Sequence, residues 1–126
     1  MPIQGKKILI VEDERPLREL LSQKLSSEGC SVLESGDGES GLKSALDNHP
    51  DLVILNLRLP KIDGIEVLRR LRADAWGKGV PVVILTVLDV SDEMLKEIVA
   101  HQPSYYFVKS DWKLEEVIEK IKEVLE

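Results

Sequence analysis

LVIL, at residues 52–55, is an unbroken apolar run rich in β-branched side chains. KILIV at 7–11 and VVIL at 82–85 repeat the pattern on either side of it. Apolar runs this short cannot form helices and lack the alternation of a half-exposed strand, so they are typical of strands buried on both faces. We therefore predict three central strands here, with weaker strands at Ser31–Ser35 and Tyr105–Val108.

Segments of helical periodicity separate the predicted strands. Pro16 suits the first turn of the first helix, and Gly29 suits its end. The other helices are predicted from about Asp37 to before His49, from about Gly64 to Arg72, from Ser91 to Ala100, and from after Asp111, a suitable cap, to Glu126. The side chains expected to face inward are Leu17, Leu20, Leu21 and Leu25, then Leu42, Ala45 and Leu46, then Ile65, Leu68 and Leu71, then Leu95, Ile98 and Val99, and last Leu114, Val117, Ile118, Ile121 and Leu125.

The alternation of strand and helix predicts the fold class. Strands that alternate with helices pair in parallel through right-handed crossovers and are covered on both faces. Five such units fit an open, doubly wound α/β sheet, because an eight-stranded barrel needs about twice this chain length. We expect one domain over residues 1–126, with no output domain.

Composition narrows the classes of partner. The 126 residues include 17 basic and 23 acidic side chains, for a net charge of −6, and few aromatics, which argues against binding to nucleic acid or to a membrane surface. The apolar runs of four residues are far shorter than the ~18 that a membrane span needs. Cys30 has no second cysteine to pair with, which favours a reducing, cytoplasmic setting. A small ion or another protein is the expected partner.

Polar side chains follow four of the predicted strands. Glu12 and Asp13 come after the first strand, and Asn56, Thr86 and Lys109 come after the third, fourth and fifth. Each alone has a plainer explanation as a cap, a strand end or a surface charge. Because parallel strands end at one edge, these groups are expected to meet there. Two carboxylates suit Mg²⁺, and a hydroxyl with an ammonium group suits phosphoryl oxygens, so the pattern predicts a site for a metal and a phosphoryl-sized anion.

Four motifs together resemble a known family. They are VEDE at 11–14, DLVILNLRLPKIDG at 51–64, ILT at 84–86 and FVKS at 107–110. In this order, along essentially the whole chain, they resemble the receiver domain of bacterial two-component response regulators. The resemblance implies a flavodoxin-like sheet of order 2-1-3-4-5. It also implies a phosphorelay signalling module rather than an enzyme, with a histidine kinase or phosphotransfer protein upstream and an effector protein downstream.

The resemblance also implies roles for individual residues. In the family, an aspartate at the end of the third strand accepts a phosphoryl group with Mg²⁺ present. Carried over by position, Asn56 takes the phosphoacceptor position. The metal would be bound by Glu12, Asp13 and the backbone carbonyl of Arg58, with a weak contribution from Asn56. The phosphoryl oxygens would be bound by Thr86 and Lys109, and the switch would consist of Thr86 and Tyr106.

Asn56 is the main departure from the family pattern, because a carboxamide is a poor nucleophile and carries no charge. We expect no acyl phosphate at this position and weakened Mg²⁺ binding. An engineered aspartate-to-asparagine change and a natural pseudo-receiver both explain Asn56, and the sequence does not separate them. Residual activity, through deamidation of Asn56 or phosphorylation of Asp13, is the third interpretation.

Further departures concern two loops. Ser110 follows Lys109 where the family commonly has proline after a cis peptide bond, which leaves the geometry of the Lys109–Ser110 bond open. The stretch AHQPSYY at 100–106 lacks the usual Gly-Ala, so the loop before the fifth strand is expected to differ in shape.

A basic cluster lies on the predicted third helix. Arg69, Arg70 and Arg72 are interpreted as a solvated basic face.

Two other classes of protein remain open at this point. A flavodoxin-like FMN protein or small enzyme would share the sheet topology. Against FMN, no Ser/Thr-rich loop follows the first strand, and the acids there would repel a phosphate unless a metal intervened. A protein interaction module without a ligand is the other alternative.

Overall fold

Within residues 3–86, 91–108 and 113–125, which this computed structural model describes, five strands alternate with five helices. In chain order they are β1 (Lys7–Val11), α1 (Arg15–Ser27), β2 (Ser31–Ser35), α2 (Gly38–Asn48), β3 (Leu52–Asn56), α3 (Gly64–Ala73), β4 (Val82–Thr86), α4 (Asp92–Ala100), β5 (Tyr105–Val108) and α5 (Leu114–Leu125). The predicted bounds agree closely with these. Asp111, the predicted cap of the last helix, lies outside the described residues.

The strands form one parallel sheet of order β2-β1-β3-β4-β5. This is the flavodoxin-like, doubly wound arrangement predicted from the sequence. All five residues of β3 and of β4 are buried, as expected for strands covered on both faces. The order of strands reverses between β1 and β3, so the carboxyl ends of these two strands border the crevice where ligands bind in such sheets.

Successive side chains of each strand enter two separate cores. Leu9, Val53 and Ile84 pack with residues of α2, α3 and α4 on one face. Ile8 and Ile54 pack with residues of α1 and α5 on the other face. Since neighbouring strand residues point to opposite faces, one run of apolar residues supplies both cores. No helix among the described residues is long and apolar enough to cross a membrane.

Four of the leucines and valines predicted to face inward are exposed instead. Leu20 of α1 is 48% exposed, Leu46 of α2 36%, Leu95 of α4 42% and Val99 of α4 63%. Each helix contacts the sheet along one narrow stripe, whereas the periodic pattern counts every apolar residue on a broad arc. The difference is largest in α4, where Ile98 is the buried residue.

The basic cluster on α3 is not one solvated face. Arg69 and Arg70 are exposed and pair with carboxylates, as predicted. Arg72 is half-buried and donates hydrogen bonds to backbone carbonyl groups. The interpretation of Arg72 as a solvated residue was wrong, because it sits on the side of the last turn that faces the loop before β4.

Asp37 caps α2, and we expect its loss to be measurable. Its Oδ1 accepts a hydrogen bond from the Ser40 N–H at 2.7 Å. Asp37→Ala should lower the free energy of unfolding by about 1 kcal/mol, while Asp37→Asn, which caps equally well, should change it by far less. Urea unfolding of the three chains at neutral pH checks this, and an equal loss in both variants would contradict it.

The same cap should depend on pH. The hydrogen bond from Ser40 holds the pKa of Asp37 below its ordinary value of 3.8. A carboxyl group with a lowered pKa stabilises the fold above its ordinary pKa and loses that contribution as the pH falls through the lowered value. Since the carboxamide in Asp37→Asn does not titrate, the small stability difference between the parent chain and this variant should shift in favour of the variant in acid.

Candidate functional site

Four polar groups converge where β1 and β3 end. Val11 is in register with Leu55, so Glu12 and Asn56, the next residues, lie side by side. The Nδ2 atom of Asn56 lies 3.1 Å from Oε2 of Glu12, 3.0 Å from Oδ1 of Asp13 and 2.9 Å from the carbonyl oxygen of Arg58. The structure thus brings together the residues predicted to bind the metal, and it centres them on the Asn56 amide.

The orientation of the Asn56 amide follows from its partners. Its NH₂ group faces three acceptors, and a carboxamide oxygen there would face only other oxygens. The Oδ1 atom on the other side accepts a hydrogen bond from the Arg58 N–H at 3.3 Å. The two N–H groups of the Asn56 amide are shared among these three acceptor oxygens. Asn56 therefore acts as a hydrogen-bond donor at the centre of the site.

Burial makes these contacts important for stability. Glu12 is 1% exposed and Asn56 is 3% exposed, while Asp13 is exposed. A buried carboxylate is costly unless donors surround it. Oε2 of Glu12 accepts from the Asn56 amide and also from the Glu14 N–H at 3.0 Å. The amide therefore supplies part of the positive charge density that this buried carboxylate requires.

The loop between β3 and α3 is shaped by two close backbone approaches. The Gly64 N–H donates to the Leu57 carbonyl at 2.8 Å, and the Gly38 N–H, at the start of α2, donates to the Pro60 carbonyl at 3.2 Å. A Cβ atom on Gly64 would lie 2.1 Å from the carbonyl oxygen of Asn56. Only glycine fits at this position, which explains its place in the motif at 51–64.

Thr86 and Tyr106 lie at or near the same edge. Thr86 is the last residue of β4 and is fully buried, and Asn56 is in register with Leu85, the residue before it. Tyr106 pairs with Ile84 across β4 and β5 and packs, partly buried, against the core on the α4 face.

Lys109 and Ser110 lie outside the described residues. The predicted phosphoryl-binding role of Lys109 and the geometry of the peptide bond that follows it therefore remain predictions.

The oxygen atoms around Asn56 are of the kind that Mg²⁺ prefers. They come from two carboxylates and one backbone carbonyl, all hard donors. The point on which they converge is taken by the amide nitrogen of Asn56. Among the described residues, no group of three or more His, Cys, Asp and Glu side chains could hold a metal ion. The donors fit Mg²⁺ in type, and the site falls one carboxylate short of a cluster of three.

A cleft of about 430 Å³ opens beside the acidic pair. Its mixed polar and apolar wall joins the loop after β3 to the first turns of α3 and α4. The lining residues are Asp13, Leu57, Arg58, Leu59, Pro60, Asp63, Ile65 and Met94. Sequence reasoning did not identify this wall, because Met94 reaches it only through the packing of α4 beside α3.

The chain belongs to the response regulator receiver domain family, whose family model matches residues 8–122. It is thus a receiver domain of the two-component response regulators, which are signalling modules. The sequence is 34% identical over 125 residues to the response regulator MprA of Mycobacterium sp. strain KMS, a match that covers 99% of this chain and 51% of that protein. The chain spans about half the length of the curated relatives that it matches.

Solved structures agree with the family. The chemotaxis response regulator CheY4 of Vibrio cholerae superposes with a TM-score of 0.85 at 26% identity, over 96% of this chain and 99% of that one. The receiver domain of the sensor histidine kinase PA1611 from Pseudomonas aeruginosa PAO1 superposes with a TM-score of 0.84 at 26% identity, over 96% and 98% of the two chains. That structure has a magnesium ion coordinated in its active site cleft.

Proposed function

We propose that this chain is a phosphorelay receiver module in which Asn56 occupies the phosphoacceptor position and blocks phosphorylation. The observation that carries the proposal is the contact of the Asn56 amide with Glu12, Asp13 and the Arg58 carbonyl at 2.9–3.1 Å. A residue at the end of β3 with these neighbours is where the family's aspartate accepts a phosphoryl group. The amide nitrogen lone pair is delocalised, and the amide oxygen is a weak nucleophile, so no acyl phosphate forms.

Glu12, Asp13 and the Arg58 carbonyl are the residues that would hold Mg²⁺. A bound cation would offset the charge of phosphoryl oxygens near the site. The magnesium ion in the PA1611 receiver domain supports this assignment by similarity. In the present chain the affinity for Mg²⁺ is lowered for two reasons. Asn56 supplies no negative charge, and its N–H groups face the same three oxygens that would bind the ion.

The aspartate form of the chain would act as a switch. Thr86 and Lys109 would bind the phosphoryl oxygens, and Tyr106 would follow the movement of Thr86. The result is a shift in the populations of the conformations of the surface formed by α4, β5 and α5. A histidine kinase or phosphotransfer protein would dock near α1 and the acidic edge, where Leu20 is 48% exposed. An effector protein would bind the surface formed by α4, β5 and α5.

Incubation with Mg²⁺ and acetyl phosphate, followed by intact mass, tests the block. We expect the Asn56 chain to stay unmodified and Asn56→Asp to gain the mass of one phosphoryl group. Asn56→Asp with Mg²⁺ omitted and the double variant Asn56→Asp, Asp13→Asn are the controls, and both should react far more slowly. Phosphorylation of the Asn56 chain would refute the assignment of Asn56, and failure of Asn56→Asp to react would refute the phosphorelay function.

A further inference from the structure

Arg72, in the last turn of α3, donates hydrogen bonds to four backbone carbonyl oxygens. Two belong to the connection between α3 and β4, where Gly77 and Val80 each accept from Nη1 at 2.7 Å. The other two belong to the connection between α4 and β5, where His101 accepts from Nε at 2.8 Å and Gln102 from Nη2 at 3.1 Å. One side chain thus joins two loops that are distant in sequence.

The partners of Arg72 differ in kind from those of its neighbours. Arg70 pairs with Glu66 at 2.8 Å, and Arg69 pairs with Glu66 and with Glu97 of α4. No ion pair found among the described residues includes Arg72, and burial lowers its pKa. A planar guanidinium can serve four carbonyl groups at fixed angles, whereas the ammonium group of lysine has three donors on one atom. The site therefore needs arginine in particular.

The connection between α4 and β5 depends on these hydrogen bonds. His101 and Gln102 close the last turn of α4, where carbonyl groups lack partners within the helix. Gln102 has a φ of 52°, in the left-handed region that disfavours residues with a side chain. The Ser104 N–H then donates to the Val82 carbonyl at 2.7 Å, and β5 begins at the next residue. Arg72 holds the turn that leads from α4 into β5.

Within the described part of the chain, α4 has few other contacts that hold it. Ile98 is buried and Met94 packs, partly buried, against the core, whereas Leu95 is 42% exposed and Val99 is 63% exposed. The Arg69–Glu97 pair also joins α3 to α4, but its side chains are 46% and 36% exposed, and such surface pairs contribute little. Among the described residues, Arg72 is therefore the main polar anchor at the carboxyl end of α4.

We propose that Arg72 is a positioning residue of the switch, which sets the resting orientation of α4 and of Tyr106 by fixing the connection between α4 and β5. Tyr106 lies four residues beyond Gln102 and packs on the α4 face of the sheet. The inference rests on the proposed function in that Tyr106 is taken as the switch residue. Releasing Arg72 should loosen this connection, together with the connection between α3 and β4 that Arg72 also binds, and leave the rest of the fold in place.

Native-state hydrogen exchange on the chain with Asn56 tests whether Arg72 fixes the connection between α4 and β5. We expect Arg72→Lys to speed exchange of the amides at 98–102 and 104–106 by about tenfold while the amides of β1 and β3, core strands expected to exchange by global opening, change much less. Arg70→Lys, the matched control on the same helix, should leave both groups unchanged. Arg72→Gln, which keeps a planar donor group, serves as a second variant with an intermediate effect. Uniform acceleration along the chain, or none, would overturn the proposal.

The amide resonance of Tyr106, measured in the Asn56→Asp background, tests whether Arg72 sets the resting orientation of the switch. Without acetyl phosphate, Arg72→Lys should move the Tyr106 amide resonance part of the way toward its position in the phosphorylated protein. An Arg72 that only stabilises the fold would leave the resonance in place, and that result would overturn the positioning role. If Asn56→Asp is not phosphorylated, the proposed function fails, whereas the exchange experiment on the Asn56 chain still decides whether Arg72 anchors the connection.

Discussion

Replacing Asn56 with aspartate should lower the stability of the chain in the absence of divalent cations. The substitution removes the N–H donors that bind Glu12, Asp13 and the Arg58 carbonyl and places a third negative charge among them. Hydrogen bonds to charged groups contribute about 1.5–3 kcal/mol each, so we expect a loss of about 3 kcal/mol in the free energy of unfolding. The midpoint of thermal unfolding should fall by on the order of 10 °C in EDTA.

Mg²⁺ should reverse this loss in the variant and leave the parent chain nearly unchanged. A ligand that binds only the folded state stabilises it by about 2.7 kcal/mol at a concentration 100 times its Kd. Asn48→Asp is the matched control, because it makes the same chemical change at an exposed position on α2. It should cost less than about 1 kcal/mol and respond little to Mg²⁺. Equal midpoints for Asn56→Asp and the parent in EDTA would contradict the role of the amide as a substitute for a cation.

Gly64→Ala should be the most damaging small substitution in the loop after β3. The added Cβ atom would lie 2.1 Å from the Asn56 carbonyl oxygen and 2.6 Å from the Cα atom of Leu57. Backbone atoms cannot move aside as a side chain can, so we expect the upper end of the usual cost of overpacking, about 3 kcal/mol. The midpoint of urea unfolding measures the loss.

Gly79→Ala provides the control for that experiment. A Cβ atom on Gly79 would meet nothing within 4 Å, and Gly79 is exposed. Its substitution should change the free energy of unfolding by less than about 0.5 kcal/mol. The amide resonance of Asn56 should also shift in Gly64→Ala and stay in place in Gly79→Ala. Similar midpoints for the two variants would show that the loop after β3 yields to the added methyl group.

The sheet could be predicted because its signal is local. The buried strands appear as unbroken apolar runs, and the second helix is predicted to start near Asp37, whose side chain accepts a backbone hydrogen bond in the structure. The site could be predicted for a different reason. Parallel strands end at a common edge, so residues far apart in sequence, such as Glu12 and Asn56, could be placed together without coordinates.

The remaining features depend on distances that no sequence pattern encodes. Leu95 and Val99 belong to an apolar stripe, and their exposure follows from the way α4 lies against its neighbours. Arg72 stands in a cluster of arginines, and nothing in the order of residues distinguishes it from Arg70. Gln102 has a left-handed backbone conformation in the loop that lacks Gly-Ala, and its partner on α3 is visible only in three dimensions.

The hydrogen bonds of Asn56 also bear on the chemical lifetime of the residue. Asparagine ages to aspartate when the backbone nitrogen of the following residue attacks the side-chain carbonyl carbon, which requires the amide to rotate out of its resting position. Here the amide is 3% exposed and tied to three acceptors, and Leu57 after it is buried as well. We therefore expect the folded protein to slow the deamidation of Asn56, so that a carboxylate at position 56 would form slowly unless it is encoded.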